Sequence, residues 1–171
     1  MRENNSATNI ILIGMPGAGK STLGVVLAKN TSRNFVDTDL LIQGAHTKSL
    51  QQIVEAQGYQ KLREIEQEIL LSLDIENTVI ATGGSAVYSE AAMNHLARKG
   101  HIVFLDVDRE VLEQRIGDYS ERGIAKSEEQ SFADLFEERQ PLYRKYADSS
   151  IKCSALTQDQ ACNRIIEQLA I

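Results

Sequence analysis

The chain has 171 residues, 42% of them hydrophobic and 25% charged, which suits one globular core and is too short for two independent ones. Its 18 Lys and Arg against 24 Asp and Glu give a net charge of -6, so no general attraction to nucleic acid or an anionic membrane is expected, and 5% aromatics with no Trp leave little to stack on single strands. No apolar run approaches the roughly 20 residues needed to cross a bilayer and no basic-then-apolar leader opens the chain, so it reads as neither secreted nor membrane-spanning, and a cytoplasmic setting and a monomer are the expectations. Cys153 and Cys162 lack CxxC spacing and read as buried free thiols, in keeping with a reducing compartment.

Short apolar runs at Asn9 to Ile13, Asn34 to Val36, Thr78 to Ala81, His101 to Leu105 and Ser150 to Cys153 are each followed by a helix-like stretch. Near-continuous strands such as Ile10-Ile11-Leu12-Ile13 suit a parallel sheet covered on both faces, so the class is α/β with three layers. Ser49-Leu50-Gln51-Gln52 matches a capping box, and Tyr59 to Leu73 spaces Leu62, Ile65, Ile69 and Leu73 along one apolar stripe. From Gly117 to Gln130 the apolar period disappears, which predicts a mobile surface loop. Neither Pro16 nor Pro141 marks a boundary, and no repeat or linker divides the chain.

Directly after the first strand comes Gly14-Met15-Pro16-Gly17-Ala18-Gly19-Lys20-Ser21-Thr22, which fits GxxxxGK[ST] and runs into a helix-like Leu23 to Lys29. Glycines there let successive backbone N–H groups and the helix N-terminus face phosphates, with Lys20 on the β/γ oxygens and the Ser21 hydroxyl on Mg²⁺. ATP or GTP binding follows. The second strand ends at Asp37-Thr38-Asp39, at the carboxyl edge where open α/β sheets hold ligands. One carboxylate there can serve Mg²⁺ and the other can orient or deprotonate an accepting hydroxyl; the plainer reading is that Asp39 caps the next helix.

Taken with Leu62-Arg63 and Glu66, Ala81-Thr82-Gly83-Gly84, Arg122 and Arg139-Gln140-Pro141-Leu142-Tyr143, these motifs make the chain resemble the shikimate kinases over nearly its whole length. The resemblance implies a five-stranded parallel sheet of the nucleoside-monophosphate-kinase type in one kinase domain, 1–171, with a substrate-binding segment at about 38–75 and a lid at about 117–130. It implies ATP and Mg²⁺, and transfer of a phosphoryl group to shikimate, giving shikimate 3-phosphate in aromatic amino-acid biosynthesis. By motif match, Gly17, Ala18, Gly19, Lys20, Ser21 and Thr22 bind ATP, Arg115 packs on adenine and Arg122 reaches the transferring group. Ser21 and Asp37 serve the metal. Asp39 takes the hydroxyl side of the substrate, and Arg63, Gly83, Gly84 and Arg139 bind the rest, both arginines on its carboxylate. A protein of negative net charge needs such a guanidinium fork to hold a small acid. Glu66, three residues after Arg63, can hold that guanidinium; the plainer reading of the spacing alone is a solvated surface ion pair.

Two departures from the family pattern stand out. Ser85 occupies the place of a third glycine, where its hydroxymethyl group would narrow the pocket or add a donor. The lid reads Arg122-Gly123-Ile124 in place of Arg-Pro-Leu, and Gly123 should loosen that turn. Ser85 is also what supports the alternative of a same-fold kinase for another hydroxy acid or polyol such as gluconate; a non-catalytic nucleotide-binding module is the second alternative. His46, His95 and His101 have no metal-ligand spacing, no nucleophile elbow is present, and Glu128, Glu129, Glu137 and Glu138 read as solvated surface.

Overall fold

The computed structural model describes residues 8–117 and 123–171. Five parallel strands, β1 (Asn9–Ile13), β2 (Asn34–Asp37), β3 (Thr78–Ala81), β4 (Gly100–Asp106) and β5 (Ser149–Lys152), form one sheet in the order β2-β3-β1-β4-β5. Ile11 of the central strand lies between Ile80 and Ile102. Every residue of β1 and β3 is buried, as strands covered on both faces require, which is why both read as unbroken apolar runs. The expected strands are therefore all present. β2 and β4 reach one residue further, to Asp37 and Asp106, while β5 is displaced one residue toward the N-terminus and stops before Cys153.

Helices α1 (Lys20–Asn30), α2 (Thr38–His46), α3 (Leu50–Gln57), α4 (Tyr59–Ser72), α5 (Glu90–Lys99), α6 (Arg109–Ile116), α7 (Phe132–Tyr146) and α8 (Gln158–Leu169) connect and cover the strands. The Ser49 and Gln52 capping box forms as expected, and Ser131 with Asp134 and Thr157 with Gln160 form two more. Both cysteines are buried and free.

The apolar side chains gather in two clusters. The larger surrounds the sheet; the smaller joins Ile42, Ile53, Leu62 and Ile65 of α2, α3 and α4 to Ala125. The stripe foreseen on α4 thus divides, with Leu62, Ile65 and Ile69 in the smaller cluster and Leu73, past the helix end, against the larger. Leu70 of the same helix belongs to the larger cluster, and Glu66 is buried as well. The smaller cluster fixes α2 to α4 beside the carboxyl ends of β1, β2 and β3, the edge where a ligand meets this kind of sheet.

Candidate active site

The phosphate loop leaves β1 through Gly14 and enters α1 at Lys20, with Gly17 at φ 81° and Gly19 at φ 93°, a left-handed backbone that side chains rarely adopt. Gly17 is also tightly packed, since a Cβ there would stand 2.7 Å from Ile116 Cγ1. Lys20 is buried, and its Nζ donates to the carbonyls of Gly14 (2.7 Å) and Met15 (2.9 Å), which holds the ammonium at the throat of the loop. Burial lowers its pKa to about 8, offset in part by the carboxylate of Asp39.

Ser21 and Thr22 are exposed at the mouth of the loop. The Ser21 hydroxyl donates to Asp37 Oδ2 at 2.5 Å, while Asp37 Oδ1 accepts from the backbone N–H groups of Asp39 and Leu40. Asp37, not Asp39, therefore caps α2. Asp39 is left free to enter the cavity. Its burial raises its pKa to about 6, against the pull of Lys20. Ser21 and Asp37 are two hard oxygen donors in contact, which fits Mg²⁺, an ion that keeps most of its waters and takes one or two protein oxygens beside a phosphate. Among the described residues no group of three His, Cys, Asp or Glu gathers as a metal site.

A cavity of about 420 Å³ runs from Gly19, Lys20 and Ser21 past Asp39 and Glu66 to Gly83, Gly84, Ser85 and Arg139. The two glycines are required by crowding. A Cβ on Gly83 would stand 2.2 Å from Glu66 Oε1 and 2.8 Å from Asp39 Oδ1; one on Gly84 would stand 2.9 Å from both Arg139 Nη1 and Pro16 Cδ. Thr38 and Tyr143 fix this loop, the Thr38 hydroxyl by accepting from the Gly83 N–H (3.2 Å) and the Tyr143 hydroxyl by donating to the Gly84 carbonyl (2.6 Å).

Arg139 is 1% exposed, and its Nη2 donates to the Ala125 carbonyl at 2.9 Å. Arg63 Nη2 donates to the same carbonyl at 3.0 Å. The two arginines thus converge as expected, but on a backbone oxygen, and only Arg139 lines the cavity. The expected pairing of Arg63 with Glu66 is not found. Glu66 turns inward instead, 3% exposed, where Oε2 accepts from the Ser85 hydroxyl and Oε1 has no hydrogen-bond partner. Burial, then the nearby Asp39 charge, raises its pKa to about 7. Ser85 accordingly donates to Glu66, the added-donor reading of this departure, with its hydroxyl directed into the protein.

The other departure has a structural cause. Gly123 lies at φ 59° and its N–H donates to Gln51 Oε1 at 2.9 Å, while a Cβ would come within 2.4 Å of the Gln51 backbone nitrogen. Proline can supply neither that φ nor that N–H. In this state Gly123 moors the turn on α3 through that bond. Arg122 lies outside the described residues, as does the rest of 118–122. Arg115 ends α6 beside the phosphate loop, its Nη1 3.4 Å from the Gly17 carbonyl.

Sequence reasoning missed Tyr88. Tyr88 stacks on Arg63, with Cζ 3.7 Å from the ring centroid, and accepts from Arg139 Nε at 3.2 Å. Its hydroxyl donates to Glu138, which is exposed as expected and also accepts from Gln130 Nε2 (2.9 Å). No spacing announces Tyr88; its place three residues after Ser85 is the only clue.

A parallel sheet in this order, a phosphate loop after its central strand and an acceptor cavity alongside define a P-loop kinase of the nucleoside-monophosphate-kinase type. The family model described as SKI, shikimate kinase, matches residues 16–170. The chain is 38% identical to a shikimate kinase of Aquifex aeolicus (strain VF5), over 84% of this chain and 85% of that one, and 32% identical to one of Xylella fastidiosa (strain M23), over 96% and 93%. The structure of a shikimate kinase from Acinetobacter baumannii in complex with shikimate superposes with a TM-score of 0.86 at 30% identity, covering 95% of this chain and 93% of that one. The chain belongs to the shikimate kinase family. It is an ATP-dependent kinase that phosphorylates a hydroxyl group.

Proposed function

We propose that the acceptor is shikimate, that Mg²⁺ accompanies ATP, and that residues 1–171 act as one monomeric cytoplasmic kinase domain with an acceptor segment at about 38–75 and a lid at about 117–130. The observation that carries the acceptor reading is that Lys20, Asp39 and Arg139 line one cavity together. An acid bound by its carboxylate to Arg139 presents its hydroxyls to Asp39. The net charge of -6, with no helix long and apolar enough to cross a membrane among the described residues, supports the absence of nucleic-acid and membrane partners.

Transfer is in line. The acceptor oxygen bonds to the γ-phosphorus as the bond to the β,γ-bridging oxygen breaks; ADP leaves with that electron pair and the hydroxyl proton passes to Asp39. Gly17 to Thr22 hold the triphosphate through backbone N–H groups, and Lys20, released from the Gly14 and Met15 carbonyls, neutralises the transferring oxygens. Arg115 packs on adenine, and Arg122 adds charge at the transferring group. Ser21 and Asp37 would hold Mg²⁺, which supplies charge neutralisation on the β and γ oxygens when bound.

The test is ADP release from MgATP with shikimate, quinate and gluconate in parallel. Stimulation by shikimate at the lowest KM is expected. Stimulation by gluconate alone would overturn the acceptor reading.

A further inference from the structure

We propose that Tyr88 is the positioning residue of the acid clamp, holding Arg63 by its ring face and Arg139 by its hydroxyl in place of an ion pair between Arg63 and Glu66. This rests on the reading that the two arginines bind the substrate's carboxylate.

Tyr88 ends a short 3₁₀ turn, Ala86–Tyr88, that is tied to α4 on both sides. Before it, the Ser85 hydroxyl donates to Glu66; after it, the Ser89 hydroxyl donates to Gln67 Oε1 at 2.6 Å. The turn is closed by the Tyr88 N–H donating to the Ser85 carbonyl at 3.1 Å. The ring is thus fixed to the helix that carries Arg63. With Glu66 committed to Ser85, no carboxylate among the described residues forms an ion pair with Arg63, and its buried Nε has no hydrogen-bond partner. Its guanidinium is placed by aromatic faces instead, 3.7 Å from the Tyr88 centroid and 5.0 Å from that of Tyr59.

The hydroxyl of the same ring reaches the second arginine. It accepts from Arg139 Nε and donates to Glu138, so the donor and acceptor capacity of the phenol are both used and the Arg139 fork is set from behind. One side chain thereby fixes the separation of two cations that would otherwise repel. Stacking leaves the Arg63 guanidinium edge, whose Nη2 now donates to the Ala125 carbonyl, free of any competing carboxylate such as Glu66. The loss of the third glycine and the use of Tyr88 belong together: Ser85 removes Glu66 from Arg63, and the ring three residues later takes over.

Steady-state kinetics with shikimate and MgATP on Tyr88→Phe, Tyr88→Leu and Arg139→Lys test this. Tyr88→Phe keeps the stack and loses the hydroxyl, and should raise the KM for shikimate about 3- to 10-fold; Tyr88→Leu loses both and should raise it about 10- to 50-fold. In both, kcat and the KM for ATP should stay within about 2-fold, a split that a merely structural role would not give. If both Tyr88 variants keep the wild-type KM while Arg139→Lys raises it, the proposal is wrong and the carboxylate reading stands. If Arg139→Lys leaves the KM unchanged as well, the carboxylate reading fails and the proposal with it. Loss of kcat and melting temperature without a change in KM would assign Tyr88 to packing alone and overturn the proposal. Should Tyr88→Leu not fold, an unchanged KM in Tyr88→Phe overturns it alone.

Discussion

The two ends of the cavity are made of different materials. At the nucleotide end one consecutive run, Gly14 to Thr22, supplies the loop, the ammonium and the hydroxyl, and positive φ at Gly17 and Gly19 aims its backbone. At the acid end Asp39 comes from α2, Arg63 from α4, Gly83 and Gly84 from the turn after β3, and Arg139 from α7. A backbone cradle tolerates change in surrounding side chains because its donors are peptide groups. A side-chain clamp does not, and here Glu66 is held by Ser85 and Arg139 by Tyr88, each from another element. The departures from the family pattern accordingly fall at the acid end, at Ser85 and Gly123.

The sharpest way to separate the two ends is Asp39→Asn, which leaves the cradle intact. Its kcat should fall about 10²- to 10⁴-fold, the range for a lost general base, with ATP affinity measured by calorimetry nearly unchanged. ATP binding that fell in step with kcat would mean that the two ends are not independent.

Within the acid end the two arginines should be unequal. Arg139 is fully buried and lines the cavity; Arg63 lies behind the Ala125 carbonyl. Arg139→Ala should weaken acid binding by about 2 to 5 kcal/mol and Arg63→Ala by less, since Arg139 lines the cavity and Arg63 meets the carboxylate only at its edge. Titration calorimetry with shikimate in the absence of ATP gives the order directly.

The pH dependence also distinguishes the ends. Asp39, raised to about 6 by burial, must be ionised to accept a proton, so kcat/KM for the acid should fall as pH drops through that value. Lys20, lowered to about 8 by burial, must be charged to meet phosphate, so kcat/KM for ATP should fall as pH rises through it. Each limb should approach tenfold per pH unit. A profile for ATP that stays flat to pH 9 would mean that the free loop keeps its ammonium protonated by contacts stronger than the Gly14 and Met15 carbonyls.

This division explains what was legible in the sequence. The phosphate loop is local, so its motif, strand and helix could be read together, and the parallel sheet followed from unbroken apolar strands. Asp37 and Asp39 were legible as a pair, but which one caps α2 depends on a backbone turn that spacing does not specify. Glu66 was misread because three residues along a helix brings two side chains near each other without saying that Ser85, 19 residues on, competes for one of them. Tyr88 was barely legible, since its value lies in contacts to α4 and α7 that only the fold creates.

The smallest effect expected is at the junction of lid and clamp. Gly123→Pro removes the N–H that donates to Gln51 and the φ of 59° that brings Ala125 beneath the two arginines. Ala125 should then withdraw, leaving Arg63 Nη2 and Arg139 Nη2 without the backbone oxygen they now share. A substrate carboxylate competes with that oxygen for the same donors. Its KM should therefore fall about 2- to 5-fold, in keeping with neutral hydrogen bonds worth about 0.5 to 1.5 kcal/mol net. A rise in KM would show the reverse, that the Ala125 carbonyl is part of the acid site and braces the arginines apart. Gln51→Ala, which loses the mooring and leaves the glycine, should move KM in the same direction by a smaller factor if the mooring, and not the backbone of Gly123 alone, holds the carbonyl in place.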